Sequence, residues 1–106
     1  MTELDTIVAL ATPRMTSALA IIRLSGSKTL SILEHIQKKK AEDIIPNQSF
    51  FANIYEDIST KEKPIDQAVI TFYKGPKSYT GEDTAEFSIH GSPLIADALI
   101  NACIKW

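Results

Sequence analysis

Apolar residues come along this chain in short blocks, and their spacing changes from block to block. Residues 6–11, TIVALA, are β-branched and apolar and stop at Thr12-Pro13, which predicts a short strand. Residues 18–25, ALAIIRLS, are apolar on both faces apart from Arg23, the pattern of a strand in a sheet's interior. Gly26-Ser27 then opens a helix, with Ser27 the expected N-cap. Leu30, Leu33 and Ile36 recur at helical spacing, Ile32 widens the stripe, and Glu34 and Lys38 stand four apart as an exposed pair. The helix is expected to fade in the lysine run, before Pro46. Residues 49–55, SFFANIY, and 66–73, DQAVITFY, read as two strands of a hairpin joined by the polar loop 56–65. In TAEFSIH, residues 84–90, Ala85, Phe87 and Ile89 face one way and Glu86, Ser88 and His90 the other. Ser92-Pro93 marks the start of a last helix. Its apolar stripe is Ile95, Ala98, Leu99 and Ala102, with Cys103 beside it and with Asp97 and Lys105 where the helix dipole favours them.

The order β-β-α-β-β-β-α predicts an α+β fold, a mixed or antiparallel sheet of about five strands with two helices packed on one face. With 106 residues and no internal repeat, residues 1–106 form a single domain. The hydrophobic fraction of 44% and charged fraction of 23% exclude disorder of the whole chain. The net charge is −2, and the one basic run, Lys38-Lys39-Lys40, is followed at once by Glu42 and Asp43. A duplex-binding basic face is thereby excluded, and any contact with nucleic acid is expected elsewhere. A single cysteine, Cys103, excludes an internal disulfide and a cysteine-rich metal site and favours a reducing compartment. MTELDTIVAL lacks the basic start and apolar stretch of a secretory signal, and no run approaches the ~18 apolar residues of a membrane span. A cytoplasmic protein without a membrane association is the expectation. The end at Trp106, directly after a helix, suggests a fragment or a short paralogue.

The stretch 75–93, GPKSYTGEDTAEFSIHGSP, gathers most of the candidate chemistry. It is not a P-loop, because Glu82 follows the second glycine where a phosphate-reaching lysine should stand. Its Gly-Pro and Thr-Gly pairs are turn chemistry, with Glu82 and Asp83 as turn carboxylates. Glu86 is unusual, since glutamate is disfavoured in mid-strand. It either lies on a solvated face or lines a cavity and accepts hydrogen bonds from a ligand's amino or ring N–H. His90 is about 13 Å from Glu86 along the strand, too far for a direct pair, and reads as part of the turn before the helix. His35 falls on the helix surface without a functional signal, Cys103 reads as core, and two separate histidines make no metal site. Arg23 sits on an apolar strand face and leaves three readings open: snorkelling at the strand end, holding a ligand anion, or pairing with Glu86 within the fold. No serine–histidine–aspartate or cysteine–histidine catalytic set is visible, so no catalytic residue is assigned.

Several of these blocks resemble the N-terminal region of the MnmE (TrmE) family of tRNA-modification GTPases. They are Asp5-Thr6-Ile7-Val8-Ala9 with Ala11-Thr12-Pro13, Ile22-Arg23-Leu24-Ser25-Gly26, and Gly75-Pro76 with Ser78-Tyr79-Thr80-Gly81-Glu82-Asp83. Glu86, His90-Gly91 with Pro93, and Asp66-Gln67 before an apolar strand extend the match from about residue 5 to the end. The resemblance implies a domain like the tetrahydrofolate-binding part of the glycine cleavage T-protein, which binds 5-formyl-tetrahydrofolate or a related one-carbon folate and forms a homodimer. It implies cofactor contacts at Arg23 and Glu86. It further implies an MnmG (GidA)-type flavoprotein partner, aminomethyl-type modification of a tRNA wobble uridine, and GTP, Mg and K bound only in a GTPase domain that this stretch lacks. Without a P-loop, GTP hydrolysis by this chain alone is not expected. The family's glycines after the first Thr-Pro are replaced here by Arg14-Met15-Thr16-Ser17, and its distal Asn-Gly-Lys folate contact would lie past Trp106. The alternatives are a ligand-free structural dimerisation module and a stand-alone folate-dependent aminomethyl transferase.

Overall fold

The computed structural model describes residues 6–12, 17–59, 63–76 and 81–106. The strands are β1 (Ile7–Leu10), β2 (Ser17–Ser25), β3 (Phe50–Ile54), β4 (Asp66–Tyr73) and β5 (Thr84–Gly91), and the helices are α1 (Thr29–Ile36) and α2 (Pro93–Lys105). The order of elements is the predicted one. The strands form one five-stranded sheet in the order β1-β2-β5-β4-β3, and each neighbouring pair runs antiparallel. The replaced loop 14–16 and the Lys77–Thr80 part of the glycine-rich turn lie outside the described residues.

Period-two alternation divides the sheet into two different faces. Ala20, Ile22 and Leu24 of β2, Ala68, Ile70 and Phe72 of β4, and Ala85, Phe87 and Ile89 of β5 are buried together. Ile32, Leu33 and Ile36 of α1 and Ala96, Leu99, Ala102 and Cys103 of α2 join the same core. The opposite face is left open, with Ile7, Leu19, Val69 and Phe51 all exposed there. Residues of even number on β2 point into the core, so Arg23 belongs to the open face.

Three local expectations are corrected. Ser27 does not cap α1; the N-cap is Lys28, with no side-chain cap bond. The cap is supplied from a distance instead: Thr6 Oγ1 accepts the Lys28 N–H at 3.0 Å. Thr29 Oγ1 also ties the helix start to the Asp83 carbonyl at 3.0 Å. Glu34 and Lys38 do not pair, because α1 stops at Ile36 and Gln37 turns extended. Glu34 accepts the Ala41 N–H at 2.9 Å instead, and Lys38 lies over the Tyr55 ring. On α2 the buried stripe contains Ala96 rather than Ala98, with Ile95 and Ile100 flanking it. The helix therefore presents a face rotated from the one its larger side chains suggest.

The last turn of α1 is fastened by the chain that follows β3. The Ile36 and His35 carbonyls accept N–H groups from Tyr55 and Ile58 at 2.7 and 2.9 Å, which satisfies helix-end acceptors. His35 stacks on Trp106 with ring centroids 3.9 Å apart, and Trp106 Nε1 donates to the Glu56 carbonyl at 3.1 Å. His35 thus holds the end of α2 against the end of α1.

Candidate functional site

The open face is organised by strand register. Ala9, Arg23, Glu86 and Thr71 stand in one row across β1, β2, β5 and β4. Arg23 and Glu86 are direct cross-strand partners, at a separation where opposite charges meet. Arg23 donates to Glu86 Oε2 from both Nε, at 3.0 Å, and Nη2, at 2.6 Å. Of the three readings for Arg23, the pair within the fold is formed. The side chains are 34% and 28% exposed, so the pair is half-sheltered and reachable from solvent. These two bonds fall on the same oxygen, Oε2, and among the described residues Oε1 takes no hydrogen bond.

A cavity of about 360 Å³ opens beside this pair, lined by Ile7, Ala9, Leu10, Ala11, Arg23, Ser25 and Glu82. Its lining is apolar apart from the Arg23 guanidinium, the Ser25 hydroxyl and the Glu82 carboxylate. Ser25 donates to Glu82 Oε2 at 3.1 Å. Glu82 is the site residue that sequence reasoning assigned only to a turn. Its neighbour Asp83 does serve the turn, accepting the Gly75 N–H at 3.0 Å. The two adjacent carboxylates divide because Ser25 lies across the sheet from Thr84, a pairing set by strands nearly sixty residues apart. Glu86 does not line the cavity itself and reaches it through Arg23.

His90 has a different partner. Its backbone N–H donates to Asp66 Oδ2 at 2.9 Å, and its Nδ1 lies 2.8 Å from Asp66 Oδ1. The link joins the start of β4 to the end of β5, as a turn residue's would. Burial pushes the Asp66 carboxyl up, but the backbone N–H and ring of His90, with the Gln67 N–H, outweigh it and hold the carboxyl below its ordinary 3.8. Cys103 is buried on α2, and burial pushes its thiol up to about 12, which leaves it protonated and unreactive. Among the described residues no group of three or more His, Cys, Asp and Glu gathers, and no helix is long and apolar enough to cross a membrane.

The fold and this site define a small α+β domain, with one sheet face packed under helices and the other carrying a paired carboxylate and guanidinium beside an apolar cavity. Residues 6–106 match the family described as the GTP-binding protein TrmE N-terminus, and the chain belongs to that family. It is 41% identical, over 95% of its length, to a tRNA modification GTPase MnmE of a Nitratiruptor species. It is 42% identical over 95% of its length to the protein of that name from Francisella tularensis subsp. tularensis. Against that of Helicobacter pylori it is 38% identical over 99% of its length. The chain spans about a fifth of these relatives, 21%, 21% and 22% respectively.

Proposed function

We propose that this domain serves an MnmE-type tRNA-modification GTPase by holding a one-carbon folate, 5-formyl-tetrahydrofolate or a close relative, on the open face of its sheet. The observation that carries the reading is the Arg23–Glu86 pair beside the cavity. An ionised carboxylate only accepts hydrogen bonds, and the amino and ring N–H edge of a pterin only donates at that edge, so the two match. With Arg23 engaging Oε2, Glu86 keeps Oε1 for such a donor. The guanidinium also offsets negative charge on the ligand, and the apolar wall of Ile7, Ala9 and Ala11 suits a planar ring.

The bound folate would supply the one-carbon unit for an aminomethyl-type change at a tRNA wobble uridine. In this reading the chain's own residues only bind and orient it. GTP hydrolysis, with its Mg and K, belongs to another part of the relatives, and an MnmG-type flavoprotein is the partner in the cytoplasm. The exposed Leu19 and Val69 on the open face support pairing with a second copy. One observation favours a second reading, a structural dimerisation module: Arg23 and Glu86 already satisfy each other. Isothermal titration with 5-formyl-tetrahydrofolate separates the two. The ligand reading expects Arg23→Ala and Glu86→Ala each to weaken binding by about tenfold or more with circular dichroism unchanged. Equal affinity in both variants would sink the ligand roles and leave the structural one.

A further inference from the structure

A second concave site lies at the other end of the sheet. A cavity of about 290 Å³ runs between the edge strand β3 and the loop after α1, lined by Gln37, Lys38, Lys39 and residues 50–53. Lys38 and Lys39 are the only charged residues among the described ones that line it. Among the described residues nothing pairs with the outer edge of β3.

The direction of the backbone groups on that edge follows from two bonds. The Ile54 carbonyl accepts the Ile65 N–H at 2.7 Å, on the β4 side. The Tyr55 N–H donates the other way, to Ile36 at 2.7 Å. In an antiparallel strand the N–H and C=O of one residue point to the same side, and successive residues alternate. Phe51 and Asn53 therefore turn a donor and an acceptor each to the outer edge. The side chains alternate too. Phe51 is 67% exposed on the open face, while Phe50 packs toward the core with Lys39 Nζ 4.7 Å above its ring.

The lysine loop is a built feature. The Gln37 side chain is fully buried and fastens the loop through three bonds: Nε2 to the Leu33 carbonyl at 2.9 Å, Nε2 to the Lys39 carbonyl at 2.5 Å, and the Lys39 N–H to Oε1 at 2.6 Å. Glu34 is committed to the Ala41 N–H, and Glu42 and Asp43 stand on the following turn outside the cavity lining. None of these carboxylates forms an ion pair with Lys38, Lys39 or Lys40.

We propose that the β3 edge and the Lys38–Lys39 loop form a docking site for an extended acidic peptide of a partner protein, added as a further strand beside β3. The backbone edge supplies donors and acceptors in alternation, which a peptide backbone matches and a phosphodiester chain, an acceptor throughout, does not. The lysines lie on the helix side of the edge and Phe51 on the open side, so the segment that fits alternates acidic and apolar side chains. The site shares none of its lining with the Arg23–Glu86 cavity and stands or falls separately from folate binding.

The test is a titration of the isotopically labelled chain with a blocked peptide of alternating valine and glutamate, followed by amide resonances. Saturable shifts at Phe51, Asn53, Lys38 and Lys39 are expected. Lys38→Glu with Lys39→Glu should weaken binding by about tenfold or more, and added salt should weaken the wild type. Asn53→Pro should abolish binding, since it removes an outward N–H at an edge position where proline is tolerated. If that variant does not fold, the lysine double variant and the salt series decide. Equal binding of a valine–lysine peptide, shifts confined to the open sheet face, stronger binding of a single-stranded RNA oligonucleotide at the same resonances, or self-association through the same edge would each overturn the proposal.

Discussion

Arg23 and Glu86 are each about one-third exposed, and this decides how their pairing should be weighed. Half-solvated ion pairs stabilise a fold by about 1 kcal/mol or less, because water screens the charges and side-chain entropy opposes the geometry. Glu86→Gln should therefore lower stability by no more than about 1 kcal/mol in urea unfolding. A loss of about 3–5 kcal/mol would mean that the pair is a buried structural element instead. Asp66 makes the opposite kind of pair, with a carboxylate 11% exposed and a histidine 68% exposed. Its pKa lies below the ordinary 3.8 in the folded chain. The stabilisation is thus complete above that ordinary value and is lost as pH falls through the folded value. Urea midpoints measured from about pH 6 down to about pH 2 should show Asp66→Asn least stable relative to wild type at the upper end, with the gap closing below the ordinary carboxylate range. A gap independent of pH would assign the cost to packing rather than to the charge.

At the scale of elements, the strands were legible because each alternates and carries its own turn signals. The prediction for β4 has the observed bounds, and that for β5 ends one residue short at His90. The start of α1 was not legible, because the N–H of its cap residue Lys28 is satisfied by Thr6, twenty-two positions earlier, and Ser27 is not the cap. The reason lies at Gly26. Its φ is +142°, and an added Cβ would meet the Thr6 Cα at 2.5 Å. Only glycine lets the end of β2 pass close enough to β1 for the distant cap to form. Gly26→Ala should cost about 1–3 kcal/mol or more and lower the melting temperature, seen by circular dichroism. Ser27→Ala should be nearly neutral, where a true N-cap would cost about 1 kcal/mol. The position of α2 was misjudged for a related reason. Small Ala96 is buried in the core while the larger Ile95 and Ile100 are only partly buried, a choice between neighbouring faces that periodicity alone does not make.

Across the whole molecule, two faces of one sheet carry different tasks. Antiparallel strands can leave one side to water, and this chain does so while keeping exposed apolar residues and the Arg23–Glu86 pair there. Arg23 and Glu86 were both legible as anomalies, a charge in an apolar strand and a glutamate in mid-strand. Their direct pairing was only one of several options, since it depends on the β2–β5 register. Glu82 at the cavity and the His35–Trp106 stack were not legible, because each joins residues that only the tertiary fold brings together. Folate binding on the open face is tested most directly by an amide and arginine-Nε resonance titration of this chain with 5-formyl-tetrahydrofolate. Saturable shifts at the Arg23 Nε–H and at the amides of residues 7–11, 23–25 and 82–86 are the predicted result. No shift at these groups at saturating ligand, or shifts confined to the β3 edge, would contradict it.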